Sequence, residues 1–533
     1  MPLSAALHVT ARPVRIVVFS GLMLLALGQP LFYSRFGLMA LDQSIVFDGG
    51  WRILSGQRPF VDFVTPVGIT PSLMQAGFFG LFGVSWFAYA LHAAVVNALF
   101  AAVAFAVMRD LGAGFWPAWF VGLSSAVTFY PPVAVPYLDQ HSFFFSLCCF
   151  WAAVRIAAGR PGARWAVIAA PAVGVLAYLS KQIPAAFLAV PALAFVVVAG
   201  WRKARGPVLV GLALPVVALT AYAVRAHVSA EEAIYYLVEL PLSAGTGRVE
   251  LWSRVERVWP RWLAGVPSTA TTVMLSLWAG VAVTWLASIA ASHPAEGRSR
   301  PIILASLSLA LTAVTAAFVI NTINEVTNGL PLLGLAVGMA WLAGDLSATR
   351  ILGGGRASRV LRGALASAVI AASLVDLWRF DSTVNLGRHV HGGVSWNEPR
   401  WSPEPPLDFL RLTEADAWLG TLLAYIRRRN EHFLLFGDAS ILYGATGHPS
   451  IFPALYLHPG MTIPPERTEE FERFQQRLLD RMRTQEVRYV LEQPGPTWAG
   501  ARLESFPRVT SLLAGCPRVA ADGWHIIELC HRP

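Results

Sequence analysis

Four short polar runs carry the residues able to do chemistry, and each borders an apolar stretch. The first, within 35–68, holds Asp42, Asp48, Arg52, Arg58 and Asp62. The second is Tyr137-Leu138-Asp139-Gln140-His141, the third is Asn321-Thr322-Ile323-Asn324-Glu325 with Asn328, and the fourth is Lys181-Gln182. A carboxylate such as Asp42, held at a bilayer surface, can deprotonate an acceptor or hold a metal beside a lipid that stays in the membrane. The chemistry indicated is on a lipid-linked substrate. Each run also has a plainer reading. Asp42 suits a helix N-cap. Asp48, ahead of Gly49-Gly50, reads as a turn residue. Asp62 either joins the site or only fixes its loop. Asp139 and His141 either face substrate or end a loop, and Lys181 either meets substrate or reaches up to headgroups. Asn324 and Glu325 suit a solvated turn as well as a site.

The elements that must position these residues are membrane helices. Of 533 residues, 55% are hydrophobic and only 14% charged, where soluble domains are nearer a quarter charged. Nineteen Trp and thirty Phe suit wide contact with the bilayer interface. The net charge of +9 fits the positive-inside bias and anionic headgroups. No aromatic-basic module points to nucleic acid. Arg12 and Arg15 precede the first apolar run, which reads as a retained signal anchor. About eleven apolar segments are long enough to cross a bilayer. They centre on 16–33, 86–108, 114–133, 142–158, 164–180, 183–201, 207–226, 267–290, 301–320, 329–346 and 361–379. The stretch 164–201 can also be read as one span plus a re-entrant piece. His92 and Asn97, inside the second span, are expected to bond neighbouring helices.

Arginines at 12, 15, 109, 155, 160, 164, 202, 205, 298, 300, 350, 356, 359 and 362, with Lys203, fall on one side of these spans, which the positive-inside rule makes cytoplasmic. All four polar runs then share the outer face. The loop near 228–266 mixes Arg and Glu at helical spacing, as amphipathic surface helices do. From about 380 the charge rises and the apolar runs shorten. Pro399, Pro403, Pro405 and Pro406 mark a linker over 380–414. Residues 415–533 alternate helix and strand patterns: a helix near 415–429, a strand at 432–436, a charged amphipathic helix near 467–483, and strands at 487–491 and 524–529. This alternation predicts a small α/β domain. The fold class is thus an α-helical polytopic membrane protein (1–379) with a C-terminal extracytoplasmic α/β domain. Cys148 and Cys149 lie in an apolar span as packing residues, whereas Cys516 and Cys530 can pair as a disulfide if the tail is outside the cytoplasm.

The first loop, about 34–68, also resembles a family. Asp42-Gln43, then Trp51-Arg52-Ile53-Leu54-Ser55-Gly56-Gln57-Arg58-Pro59-Phe60-Val61-Asp62-Phe63, then Pro66-Val67-Gly68 and Leu81-Phe82-Gly83 resemble the first outer loop of GT-C glycosyltransferases. These include the protein O-mannosyltransferases and the aminoarabinose transferase of lipid A. The family loop typically reads Asp-Glu, a short helix, Gly-x-x-Pro-Tyr-x-Asp-Phe, a Gly-Pro and a helix ending Phe-Gly. This chain has Gln43 for Glu, Phe60 for Tyr and Val67-Gly68 for Gly-Pro. Leu179-Ser180-Lys181-Gln182 resembles the family's Lys-containing motif, and 321–331 the polar turn before its Leu-Pro-Leu-Leu span.

The resemblance, over roughly 12–346, implies transfer of a sugar from a polyprenyl-phosphate donor to an acceptor hydroxyl of a glycan, lipid or protein at the outer face. Asp42 would be the general base or would orient the hydroxyl. Lys181, with Arg58 or Arg225, would neutralise the leaving lipid phosphate. Asp62, Asn324 and Glu325 would support the acceptor. Asp139 and His141 would position it or, with Asp42, bind a divalent cation, for which so few ligands are a weak set. No glycine-rich nucleotide motif is evident, which fits a lipid donor. The alternative is a transporter or flippase of a lipid-linked or small solute. Such proteins usually carry repeats and midplane charges, whereas the ionisable residues here lie at span ends. A scaffold for envelope assembly would leave the Asp42 loop without a purpose. Ala- and Arg-rich, Lys-poor usage suggests a GC-rich bacterium, hence a bacterial inner membrane, with the N-terminus cytoplasmic and the tail periplasmic.

Overall fold

Apolar runs that lie in lipid must satisfy their backbone groups internally, so they fold as helices. In the computed structural model, which describes residues 3–35, 38, 40–130, 134–240, 242, 335, 400–401, 406–412, 417–493 and 501–531, helices dominate up to residue 239. They are α1 (Leu3–Tyr33), α2 (Ala40–Leu54), α3 (Ile69–Phe82), α4 (Trp86–Asp110), α5 (Phe115–Thr128), α6 (Leu138–Ala157), α7 (Ala163–Ser180), α8 (Gln182–Lys203) and α9 (Arg205–Ala226). A short α10 (Ala230–Ile234) runs on into a π-helical turn, Tyr235–Glu239. Four segments among the described residues are long and apolar enough to cross a membrane: Pro13–Tyr33, Trp86–Asp110, Ala163–Ser180 and Arg205–Ala226. The other three spans expected before residue 230 are helical as well. However, α5 has only 14 residues, and the apolar part of α8 is limited to Leu188–Trp201. The expected spans at 267–290, 301–320, 329–346 (apart from Leu335) and 361–379 lie outside the described residues, as do Asn324, Glu325 and most of the 228–266 loop.

Small and polar residues set how the helices meet. The Asn97 amide on α4 donates to the carbonyls of Ala26 on α1 (2.7 Å) and Ala126 on α5 (2.9 Å), tying three helices at one buried point. Replacing Asn97 by Leu removes both bonds. Thermal unfolding in detergent is expected to show a loss of about 1–2 kcal/mol. A variant as stable as the wild type would mean that packing alone holds the three helices. At one end of the bundle Arg155 and Arg160 pair with Asp110 (3.3 and 3.4 Å). Of the four polar runs of the sequence, the three among the described residues gather at the opposite end. There Gly68 N donates to Ser180 O (3.0 Å), and the Gln182 side chain donates to Pro66 O.

The tail begins with a two-stranded antiparallel pair, β1 (Arg400–Trp401) and β2 (Arg411–Leu412). The described part of the connection between them, 406–410, is docked: Pro406 O accepts from Trp86 N (2.8 Å), and Leu407 and Leu410 are buried. Then come α11 (Ala417–Arg429), β3 (Phe433–Phe436), α12 (Ile441–Thr446), α13 (Glu469–Thr484), β4 (Tyr489–Glu492), α14 (Pro507–Leu512), β5 (Arg518–Ala521) and β6 (Trp524–Glu528). The four-stranded sheet has the order β3-β4-β6-β5, with β3 and β4 parallel and the other pairs antiparallel. The helices α12 and α13 make the crossover that parallel pairing requires. Thr468 caps α13 by accepting from Phe471 N, and Phe471, Phe474, Leu478 and Met482 form its buried stripe. β5 has no counterpart in the sequence reading. It is an exposed edge strand without an alternating apolar face.

Cys516 and Cys530, 14 residues apart, are disulfide-bonded and fasten the end of β6 beside α14. Converting both to Ser frees a loop whose closure is worth about 3 kcal/mol in the chain-entropy account. The melting temperature of the tail is expected to fall by several degrees. An unchanged transition would show that the unfolded chain gains nothing from the link.

Candidate active site

Asp42 lies in the first turn of α2, half-buried. The Tyr137 hydroxyl lies 3.4 Å from its Oδ1. Burial, then the Asp42 and Asp139 carboxylates, push the Tyr137 phenol well above its ordinary value, so it remains a donor. Two residues on, in the first turn of α6, Asp139 is 1% exposed. Its Oδ2 meets Lys181 Nζ at 2.8 Å, and its Oδ1 has no hydrogen-bond partner among the described residues. Lys181 sits between α7 and α8, extended at φ −163° and ψ 131°. Its carbonyl accepts from Ser142 Oγ on α6 (2.8 Å). Three elements distant in sequence thus bring Asp42, Tyr137, Asp139 and Lys181 to one end of the bundle.

The first loop closes over this end by turns. Arg58 and Asp62 pair with each other at 3.3 Å, and Arg58 N donates to the same Asp62 oxygen at 2.7 Å. Asp62 therefore fixes its loop. Phe60, buried, holds a left-handed φ of 61° in this turn, a strained backbone that its surroundings must hold in place. Gly68 also lies in the left-handed region, where a Cβ would stand 2.8 Å from the Leu138 side chain, so a glycine is needed there. Arg225 is exposed near the end of α9, one turn from Tyr222, whose hydroxyl donates to Pro59 O (2.8 Å). Arg225 and the Arg58–Asp62 pair therefore border the loop, whereas Lys181 is bonded to Asp139.

Two expectations need correction. His141 does not face outward. Its Nδ1 donates to Tyr137 O (2.7 Å), and its Nε2 lies 3.0 Å from Nε2 of His92, whose Nδ1 lies 2.9 Å from the Gln75 side chain. With both ring nitrogens occupied by protein, His141 has none for a cation or an acceptor. It bonds the Tyr137 backbone carbonyl instead. The proposed cation ligands Asp42, Asp139 and His141 do not form a metal-sized donor set. Among the described residues only Cys516, Cys530 and His531 gather three donor atoms, and those two sulfurs are bonded to each other.

Asp48 is the second correction. It is not in a turn but inside α2, fully buried, with Arg52 Nε at 2.8 Å from its Oδ2. The two glycines after it serve close helix approach. A Cβ on Gly49 would lie 2.1 Å from Ser72 Oγ, and one on Gly50 would lie 2.6 Å from Gln75 Cγ. The Ser450 hydroxyl, from the tail, donates to Asp48 Oδ1, and Arg52 Nη1 donates to Phe452 O (2.7 Å). Burial pushes the Asp48 carboxyl up, while Arg52 and Ser450 favour its ionised form. Sequence reasoning missed this cluster. Its signal was an Asp–Arg pair at i,i+4 among apolar neighbours on one short helix.

No protein-family model and no curated protein matches the chain. Solved structures do match along nearly the whole length. The structure of ArnT from Cupriavidus metallidurans bound to undecaprenyl phosphate superposes with a TM-score of 0.56 at 14% identity, covering 96% of this chain and 97% of that one. ArnT in the apo state gives 0.53 at 13% identity, covering 97% and 98%. The chain shares the fold of ArnT over nearly its whole length.

Proposed function

We propose that the protein is an integral membrane glycosyltransferase that moves a sugar from a polyprenyl-phosphate donor to an acceptor hydroxyl at the outer face of a bacterial inner membrane. In this reading the N-terminus is cytoplasmic, residues 1–379 form the membrane domain, 380–414 link, and 415–533 stand in the periplasm. The observation that carries it is the convergence of Asp42, Tyr137, Asp139 and Lys181 at one end of the helices, in a fold shared almost end to end with a protein solved with undecaprenyl phosphate.

Asp42 takes the proton of the acceptor hydroxyl. The acceptor oxygen forms its bond to the anomeric carbon as the bond from that carbon to the phosphate oxygen breaks. The electron pair leaves on the polyprenyl phosphate, and the Lys181 ammonium stabilises that charge. Asp139 holds Lys181 in place. Tyr137 donates to Asp42 and keeps it aimed. Arg58 and Arg225, at the rim, attract the anionic headgroup.

The test is a panel of radiolabelled polyprenyl-phosphate sugars given to the purified protein with total membrane extract as acceptor. One donor is expected to pass its label to an extractable product. No transfer from any donor, with acceptor classes supplied separately and the protein folded, would return the site to the transporter or scaffold readings.

A further inference from the structure

The tail is not merely tethered to the membrane domain. One hydrophobic core runs through Ile45, Phe47, Phe63 and Val64 of the first loop into Phe433, Tyr443 and Leu455 of the tail. A polar seam follows the same line. Trp51 Nε1 donates to His448 O (2.8 Å), and Gln57 Nε2 donates to Ser450 O (3.0 Å). Val64 N donates to Pro453 O (3.0 Å), and Leu455 N donates back to Val64 O (3.1 Å). Arg481, on α13, donates to both Asp62 O and Ser450 O. α12 meets α2 so closely that a Cβ on Gly444 would lie 2.9 Å from the Phe47 ring. At the centre of the seam stands the Asp48–Arg52 pair, 0% and 1% exposed, with the Arg52 guanidinium 5.2 Å from the Phe63 ring centre.

Such a buried pair is a poor source of stability, since apolar residues of similar volume usually do as well or better. What it supplies is direction. One carboxylate oxygen of Asp48 is held from within α2 and the other from the tail, while Arg52 reaches the tail backbone. Rotation and depth of α2 are thereby fixed. Asp42 stands six residues up the same rigid helix.

We infer that Asp48, Arg52 and Ser450 form a latch through which the docked tail sets the position of Asp42, so that the tail is an obligate part of the transferase and these three are positioning residues. The inference rests on the function proposed above for Asp42.

The test uses the full-length protein with Asp48→Leu combined with Arg52→Met, and separately Ser450→Ala, which leaves the helix pair in place. The melting temperature of the double variant is expected to stay near that of the wild type. Amide exchange over residues 40–47 is expected to rise at least about tenfold. The transfer rate is expected to fall about hundredfold, as a misplacement near 1 Å does, with little change in donor KM. Ser450→Ala is expected to move both readouts in the same direction by less, and it decides the matter if the double variant does not fold. Wild-type exchange over 40–47, or wild-type transfer rates in the double variant, would overturn the latch. If the wild type itself transfers nothing, the proposed function fails, and exchange alone decides the latch.

Discussion

Asp42→Asn is expected to lower sugar transfer by about 10²–10⁴-fold, the range a positioned general base supplies. Asn keeps the shape of the side chain and its contact with the Tyr137 hydroxyl but cannot take a proton. The loss should therefore fall on kcat, with donor KM and thermal stability near wild type. Single-turnover transfer with the purified variant reads this directly. A variant that retains a tenth or more of the wild-type rate would remove Asp42 from the role of base and leave it as an orienting group.

Lys181→Met is expected to have the second large effect, through the leaving group. It removes the cation proposed to face the lipid phosphate while keeping most of the length of the side chain. Loss of one such charge-stabilising donor lowers rates by about 10²–10³-fold. It also leaves Asp139, 1% exposed, as a buried carboxylate without its partner, which is destabilising by itself. The two consequences separate in the double variant Lys181→Met with Asp139→Asn. Stability should return because no buried charge remains, and activity should not. Binding of undecaprenyl phosphate, measured by quenching of tryptophan fluorescence, should weaken in both variants. Undiminished binding and transfer in the double variant would assign the pair a structural role only.

Much of this was legible in the sequence because charge is rare in it. In a chain so apolar, Asp42, Asp139 and Lys181 stand out at the ends of runs, and the ends of successive spans on one side must meet. Asn97 and His92 were legible for the same reason: a polar group inside a span must find a partner on a neighbouring helix, and both do. The tail strands β3, β4 and β6 announced themselves as short apolar runs between turn residues. β5 did not, because an edge strand needs no apolar face. Asp48-Gly49-Gly50 was misread since a glycine pair signals a turn from sequence alone, whereas here it lets α2 approach α3. His141 was misjudged because side-chain direction at a helix start cannot be read from spacing. Half a turn of rotation separates a residue that faces solvent from one that bonds His92. The contact of Ser450 with Asp48, about four hundred positions away, has no local signature at all.

The most direct measurement is the stoichiometry of the reaction in detergent: polyprenyl phosphate released against sugar transferred, for wild type and Asp42→Asn side by side. The proposed function predicts one lipid phosphate freed per sugar passed to the acceptor by the wild type, and both products formed at least about a hundredfold more slowly by the variant. Sugar transfer without release of lipid phosphate, or equal yields from the two proteins, would contradict it.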